Sequence, residues 1–164
     1  KETPLEEDGE LIISGPNIML EYLDEPEETK NTLFQMDGKT WLHTGDIACV
    51  DKRGLFHYKS RLKRMIITSG YNVYPSHVEE ILTNHEAILK CALIGIKNES
   101  KGEIVKAFIV LREGYNNLLT KSNIQKYMKE NLAKFEIPRE IRYIDDLPTT
   151  LVGKIAYKEL EKMD

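Results

Sequence analysis

The 164 residues are 41% hydrophobic and 30% charged, which supports a packed core and excludes wholesale disorder. No apolar run approaches bilayer-spanning length, the longest lying near Ile109-Val110-Leu111. Two well-separated cysteines, Cys49 and Cys91, exclude a disulfide framework and a thiolate zinc site, and they fit a reducing cytoplasm.

The length suits one ordinary domain, or a small domain plus a piece of another. The start, Lys1-Glu2-Thr3-Pro4-Leu5-Glu6-Glu7-Asp8, is acidic, has no signal-peptide pattern and lacks an initiator Met. A piece excised from a longer chain is the expectation. The net charge of −4 is uneven: residues 1–60 carry −7 and residues 61–164 carry +3. Such asymmetry predicts two structural units meeting near residue 60. The mildly basic second unit suits a small anionic ligand, whereas nucleic-acid readers are usually far more basic.

Along the first unit, Glu10 to Ser14 reads as a strand stopped by Gly15-Pro16. Met19 to Leu23 reads as a short extended or turn segment. Pro26 to Leu33 predicts one or two helical turns, with Pro26 near the first position and Glu27 and Glu28 favoured by the dipole. Trp41-Leu42-His43 leads through Thr44-Gly45-Asp46 into Ile47 to Val50. The turn Asp51-Lys52-Arg53-Gly54 then returns the chain as Leu55 to Tyr58, a β-hairpin.

The second unit begins with Met65 to Ile67 and Asn72 to Tyr74 flanking a hairpin tip, Thr68-Ser69-Gly70-Tyr71. Pro75 opens a helix with Val78, Ile81 and Leu82 on one face. Lys90 to Ile96 and Ile104 to Leu111 read as strands around a charged loop, 97–103. Thr120 is the expected N-cap of a helix whose apolar face is Ile124, Tyr127, Met128 and Leu132. Glu140 to Ile144 reads as a strand and Tyr157 to Met163 as a short helix. The fold class is therefore α+β.

Several constellations are absent. There is no His-Glu-x-x-His, the four histidines being scattered, and no metal site is expected. There is no Gly-x-Ser-x-Gly elbow. Gly153-Lys154 resembles the end of a P-loop, but Pro148 stands where the first Gly belongs.

Four segments could carry chemistry. In Thr44-Gly45-Asp46, a carboxylate fixed by a Gly turn could accept hydrogen bonds from the two hydroxyls of a ribose diol. Taken alone, it reads better as an Asp capping its own turn. Ser60-Arg61-Leu62-Lys63-Arg64 offers three cations that could meet phosphate, or a solvated basic turn. In Thr68 to Pro75, Gly70 permits a positive φ or a close backbone approach, and a plain hairpin tip fits equally. In Leu147 to Ile155, Lys154 on a Pro/Thr/Gly loop suits charge that develops in a transition state, although alone it reads as a surface lysine.

In order and spacing, these segments resemble the C-terminal signature motifs of the adenylate-forming superfamily: acyl-CoA and aryl-CoA synthetases, firefly-type luciferases and peptide-synthetase adenylation domains. Glu10 through Tyr22 resembles Gly-Glu-Ile…Gly-Pro…Gly-Tyr. Trp41 to Asp46 resembles Trp-x-x-Thr-Gly-Asp. Arg61 through Pro75 resembles Asp-Arg-x-Lys-x-x-Ile-x-x-x-Gly-x-x-Val-x-Pro. Lys134 to Pro138 is similar to Tyr-Lys-x-Pro, and Leu147 to Ile155 to Leu-Pro-x-Thr-x-x-Gly-Lys-Ile. The likeness covers nearly the whole chain and is closest to the fatty-acyl-CoA ligase branch around Gly70 to Pro75.

The resemblance implies two half-reactions. A carboxylate attacks the α-phosphate of ATP, giving an acyl-adenylate and pyrophosphate, and CoA thiolate then displaces AMP. By motif, Asp46 binds the ribose hydroxyls and Arg61 contacts the nucleotide. Lys154 is the catalytic lysine of adenylation, and Lys63 is the hinge. After rotation the loop of Ser69, Gly70 and Tyr71 lines the CoA tunnel. Residues 1–60 would be the tail of the large AMP-binding domain, short strands of a distorted barrel. Residues 61–63 would be the hinge and 64–164 the small mobile lid. The implied substrates are a carboxylic acid, ATP and CoA. Mg would be held by the phosphates and by the missing N-terminal part, which is also the implied protein partner. No nucleic acid or transmembrane segment is implied; the location is cytoplasmic, with peripheral membrane attachment as the alternative.

Ser60 stands where the family usually has Asp, and Asn72 where some branches carry an Arg, so those two roles are not carried over. The family's Gly/Ser/Thr-rich phosphate loop and Tyr-Gly-x-Thr-Glu motif are missing. The expectation is the C-terminal portion of a ligase, inactive alone. The alternatives are an acyl-AMP ligase that loads a carrier protein and a non-catalytic stand-alone module of the lid fold.

Overall fold

The computed structural model describes residues 2–163. Backbone contacts divide the chain into two compact units, Lys1–Lys63 and Arg64–Asp164.

The first unit is a four-stranded antiparallel sheet. Its elements are β1 (Gly9–Ser14), α1 (Pro26–Thr32), β2 (Leu33–Met36), β3 (Lys39–Val50) and β4 (Phe56–Arg61). The long β3 is central, with β1 along one edge and β2 and β4 following one another along the other. The α1 helix starts at Pro26 with Glu27 and Glu28 in its first turn, as the sequence predicts. The strand β2 is not in the sequence reading. It is turned into β3 by Asp37-Gly38, both at positive φ (52° and 71°), the Asp-Gly signature of a tight two-residue hairpin. Among its described apolar residues this unit fully buries only Ile47 and Ala48, while Leu20, Leu23, Phe56 and Tyr58 stay exposed.

A single 3₁₀ turn, Leu62–Arg64, follows. The second unit contains β5 (Ile66–Thr68), β6 (Tyr71–Val73), α2 (Pro75–Thr83), β7 (Ile88–Asn98), β8 (Gly102–Leu111), α3 (Leu118–Asn131), β9 (Glu140–Tyr143) and α4 (Tyr157–Lys162). The sheet order is β6-β5-β8-β7, and β9 pairs with β8 in parallel.

Side chains alternate across β7 and β8, so the two strands serve two cores. Cys91, Leu93, Val105, Ala107 and Ile109 face Val78, Leu82, Ile124 and Met128 of α2 and α3. Ala92, Ile94, Phe108 and Val110 face Leu147 and Leu160 on the other side. Burial on both faces explains why these strands read as nearly continuous apolar runs. They also extend further than predicted, leaving only residues 99–101 between them.

The expected N-cap of α3 is corrected. Asn117 is the cap, its Oδ1 accepting from the Thr120 N–H at 2.8 Å, and Thr120 is a buried third helical residue. The predicted apolar face of that helix is otherwise present: Ile124, Met128 and Leu132 are buried, and Tyr127 donates its hydroxyl to Ile81 O.

Burial and the nearby Glu79 charge push both the Cys91 thiol and the Tyr157 phenol up to about 12. Each group therefore binds its proton more tightly folded than unfolded. The associated stability is complete below the unfolded values of 9.0 and 10.0, and it is lost as pH rises towards 12. Urea midpoints should fall across that window, and Tyr157→Phe should flatten part of the fall; a midpoint flat with pH there would contradict the assignment.

Candidate functional site

The Thr44-Gly45-Asp46 segment lies within β3 and breaks its pairing with β1. Glu10 pairs with Ile47 and Ile12 with His43, so Leu11 alone opposes three residues. This bulge is built from its own side chains. Thr44 Oγ1 donates to Leu11 O at 2.6 Å and accepts from the Asp46 N–H at 3.0 Å. Gly45 takes a left-handed φ of 69°, which glycine adopts without the Cβ penalty. Its N–H donates to Glu10 Oε1 at 3.1 Å, while Glu10 Oε2 meets His43 Nδ1 at 2.8 Å.

On the other side, β4 places Arg61 directly opposite Asp46. Arg61 Nε lies 2.9 Å from Asp46 Oδ1, and Nη1 donates to Thr44 O at 3.0 Å. The two expected nucleotide ligands, fifteen positions apart, are thus cross-strand neighbours. Asp46 Oδ1 is buried and, despite the ion pair, accepts no well-aimed hydrogen bond. An acceptor in that state suits a hydroxyl donor. Glu10, which the sequence marks only as part of a strand and a motif, is the clamp under this bulge. A charged residue beginning an otherwise apolar strand was the available signal.

Ser60 was expected in a linker or basic turn. It is instead fully buried in β4, paired with Ile47, and its Oγ has no hydrogen-bond partner. Lys63 is exposed in the 3₁₀ turn, at the last position of the first unit.

In the second unit, Ser69 and Gly70 form the two-residue tip between β5 and β6, both at positive φ (52° and 82°). Ser69 N–H donates to Lys101 O at 2.9 Å, which ties the tip to the start of β8. Tyr71 stacks on Phe135, ring centroids 4.7 Å apart. Beside the tip is a cavity of about 250 Å³ reached by Lys101, Lys134 and Arg139. The last two also line a groove of about 740 Å³ that adds Lys121 and Lys129. The flank of the loop beside Phe135 is therefore cationic, whereas the hollow lined by Gly70 itself also carries Glu99 and Glu103.

Lys154 sits on a short hairpin closed by the bridge between Thr149 and Ile155. Thr150 N–H donates to Lys154 O at 2.7 Å, Gly153 N–H to Thr150 O at 2.9 Å, and Lys154 N–H to Thr150 Oγ1 at 3.2 Å. Gly153, at φ 78°, allows the tight return. The backbone of Lys154 is thus held by main-chain and Thr150 contacts, and its side chain is exposed. No cluster of His, Cys, Asp or Glu able to hold a metal occurs among the described residues. No helix among them is long and apolar enough to cross a membrane.

Residues 77–154 match the AMP-binding enzyme C-terminal domain. The chain is 38% identical over 162 residues to a methyl-dioxo-octahydroindenyl-propanoyl:CoA ligase of Mycobacterium tuberculosis, covering 99% of this chain and 31% of that protein. It is 40% identical over 154 residues to a long-chain-fatty-acid–CoA ligase of Bacillus subtilis, covering 94% and 26% respectively. A crystal structure of an anthranilate CoA ligase in complex with anthranoyl-AMP matches 99% of this chain and 31% of its own, with TM-score 0.86 at 32% identity. The chain thus spans about a quarter to a third of the length of the relatives it matches.

Proposed function

The chain belongs to the adenylate-forming superfamily as its C-terminal portion, and on that premise we propose that it is part of an ATP-dependent fatty-acid–CoA ligase. In the first half-reaction a carboxylate oxygen attacks the α-phosphorus of ATP and the bond to the bridging oxygen breaks, releasing pyrophosphate. In the second, the CoA thiolate attacks the acyl carbon and AMP leaves.

In this reading Asp46 accepts from the ribose hydroxyls, and the exposed Arg61 swings from its carboxylate to the nucleotide. The observation that carries the proposal is the Thr44–Asp46 bulge, which presents a buried, under-bonded carboxylate oxygen beside a guanidinium. Residues 1–60 are the tail of the large AMP-binding domain; their scant internal burial supports that reading, because such a sheet needs a partner surface. Lys63 is the pivot, residues 64–164 are the mobile lid, and Lys154 supplies the ammonium for adenylation. Ser69, Gly70 and Tyr71 line the path of pantetheine, and the cationic flank of that loop supports a ligand with several phosphates, as CoA is. Magnesium would be held by the phosphates and by the part of the enzyme that precedes this chain.

The test is pyrophosphate exchange and thioester formation by the full-length protein. Exchange that depends on a fatty acid, followed by transfer to CoA, is expected. Exchange driven only by aromatic acids would overturn the acyl assignment, transfer only to a carrier-protein thiol would overturn the acceptor, and no exchange with any acid would overturn ligase activity.

Glu10 adds a sharper expectation. Glu10→Ala removes the acceptor that holds the Gly45 N–H, a charge-assisted hydrogen bond of about 1.5–3 kcal/mol. With the bulge loosened, Asp46 is misplaced and the KM for ATP in the exchange assay should rise roughly tenfold, consistent with about 1.4 kcal/mol. An unchanged KM would remove Glu10 from this role.

A further inference from the structure

Beyond the signature motifs, the second unit contains a half-buried polar cluster that ties its first residue to the base of the Lys154 hairpin. Arg64 follows Lys63 directly. Its Nη2 donates to Glu79 Oε1 at 2.6 Å, and its guanidinium carbon lies 3.9 Å from the centre of the Tyr157 ring. The same Glu79 oxygen accepts from the Leu93 N–H at 2.9 Å and from the Tyr157 hydroxyl at 3.4 Å. Glu79 is 15% exposed and Arg64 23%, so the pair is largely shielded from solvent. Tyr157 is the first residue of α4 and stands three positions after Lys154. Between them, Ala156 N–H donates to Pro148 O at 2.8 Å, Ile155 is bridged to Thr149, and Ile155 and Tyr157 pack on the Phe108–Leu160 core.

We infer that Arg64, Glu79 and Tyr157 are positioning residues that fix the Lys154 hairpin relative to the pivot, so that rotation at Lys63 delivers the Lys154 ammonium to the α-phosphate in register. The inference rests on the assignment of Lys63 and Lys154 above. The physical reason is leverage. Lys154 sits at the end of a lever whose fulcrum is Lys63, and a small tilt of α4 is magnified at the ammonium. A carboxylate that accepts from α4, β7 and Arg64 at a single oxygen resists that tilt. The geometry demands it, because misplacement of a reacting group by about 1 Å costs up to about 10²-fold in rate. The Tyr157 phenol, pushed up to about 12, remains a hydroxyl donor at neutral pH.

The experiment is a double-mutant cycle in the full-length enzyme, with pyrophosphate exchange and thioester formation from supplied acyl-adenylate assayed separately. Glu79→Gln is nearly isosteric and keeps an acceptor for Leu93; Tyr157→Phe keeps the ring under Arg64 and removes only the hydroxyl. Each should lower kcat for exchange about tenfold, leave the KM for ATP unchanged, and change the thioester step by less than about threefold. In a Lys154→Ala background, the same substitutions should have no further effect on exchange. A merely structural role predicts instead that both half-reactions fall together and that the penalty persists in that background; either result, or no effect of both variants, overturns the inference. Lys154→Ala alone reports on the underlying reading. If it adenylates normally, the lysine assignment has failed; if it is crippled while the cluster variants are not, only the positioning role has.

Discussion

Lys154→Ala should lower adenylate formation by the full-length enzyme about 10²–10³-fold, the usual cost of removing one positioned electrostatic group. Charge builds on the α-phosphate as the carboxylate attacks, and an ammonium placed there stabilises the transition state more than bound substrate. The effect should be confined to that step. Lys154 contributes backbone atoms to its hairpin: its O accepts from the Thr150 N–H and its N–H donates to Thr150 Oγ1. An alanine leaves all of these in place, so the unfolding midpoint should not move. Thioester formation from supplied acyl-adenylate should be largely spared if, as proposed, the rotated lid brings the Gly70 loop to the site instead. Acetylation of Lys154 removes the same charge and should reproduce the alanine variant. A surface lysine with no role predicts no change in either half-reaction. A variant that adenylates normally, or that loses only the thioester step, ends the assignment.

Local chemistry decided which parts of this fold were legible. Pro26, Pro75 and the acidic first turn of α1 announce helix starts, and Asp51 to Gly54 and Ser69-Gly70 announce hairpins, because φ restriction and φ > 0 are written in residue type. Asp37-Gly38 carries the same signal, but β2 itself is only four residues long and follows directly on α1, which hides it within the helical segment. Thr120 and Asn117 are both good caps. The choice between them depends on which one turns inward against Ile124 and Met128, a matter of packing. The parallel pairing of β9 with β8 has no local signature, since it depends on where α3 returns the chain.

The site divides in the same way. Thr44-Gly45-Asp46 and Arg61 were visible as motifs, but their opposition across β3 and β4 depends on register, and register shifts beside the bulge. Glu10 looks like one more surface carboxylate until the bulge brings the Gly45 N–H to it. Arg64 and Glu79 are fifteen positions apart in different elements, and Tyr157 lies seventy-eight positions beyond Glu79. No periodicity links such residues. Only the stacking of α2 and α4 against β7 does, and Leu93 takes part through its backbone, which a side-chain motif does not register.

Lys63→Pro, in the full-length enzyme, should slow one half-reaction far more than the other. A pivot must change φ and ψ between its two states, and proline locks φ near −65°. Lys63 stands in the 3₁₀ turn Leu62–Arg64, whose φ range of about −50° to −70° proline matches. The orientation that uses this turn is therefore compatible with proline at φ, and the orientation that unwinds it is not. An incompatible proline costs about 3 kcal/mol or more, which at 1.36 kcal/mol per tenfold is roughly a hundredfold or more in the step that needs the other orientation. Proline also biases Leu62 away from helical angles, so the favoured step should slow as well, by a smaller factor. Lys63→Ala is the control: it removes the charge and leaves φ free, and both steps should remain within about tenfold of the parent. Pyrophosphate exchange measures one orientation and CoA transfer to a preformed adenylate the other. Equal losses in the two assays with Lys63→Pro would mean that residue 63 supports both states alike, which no pivot does.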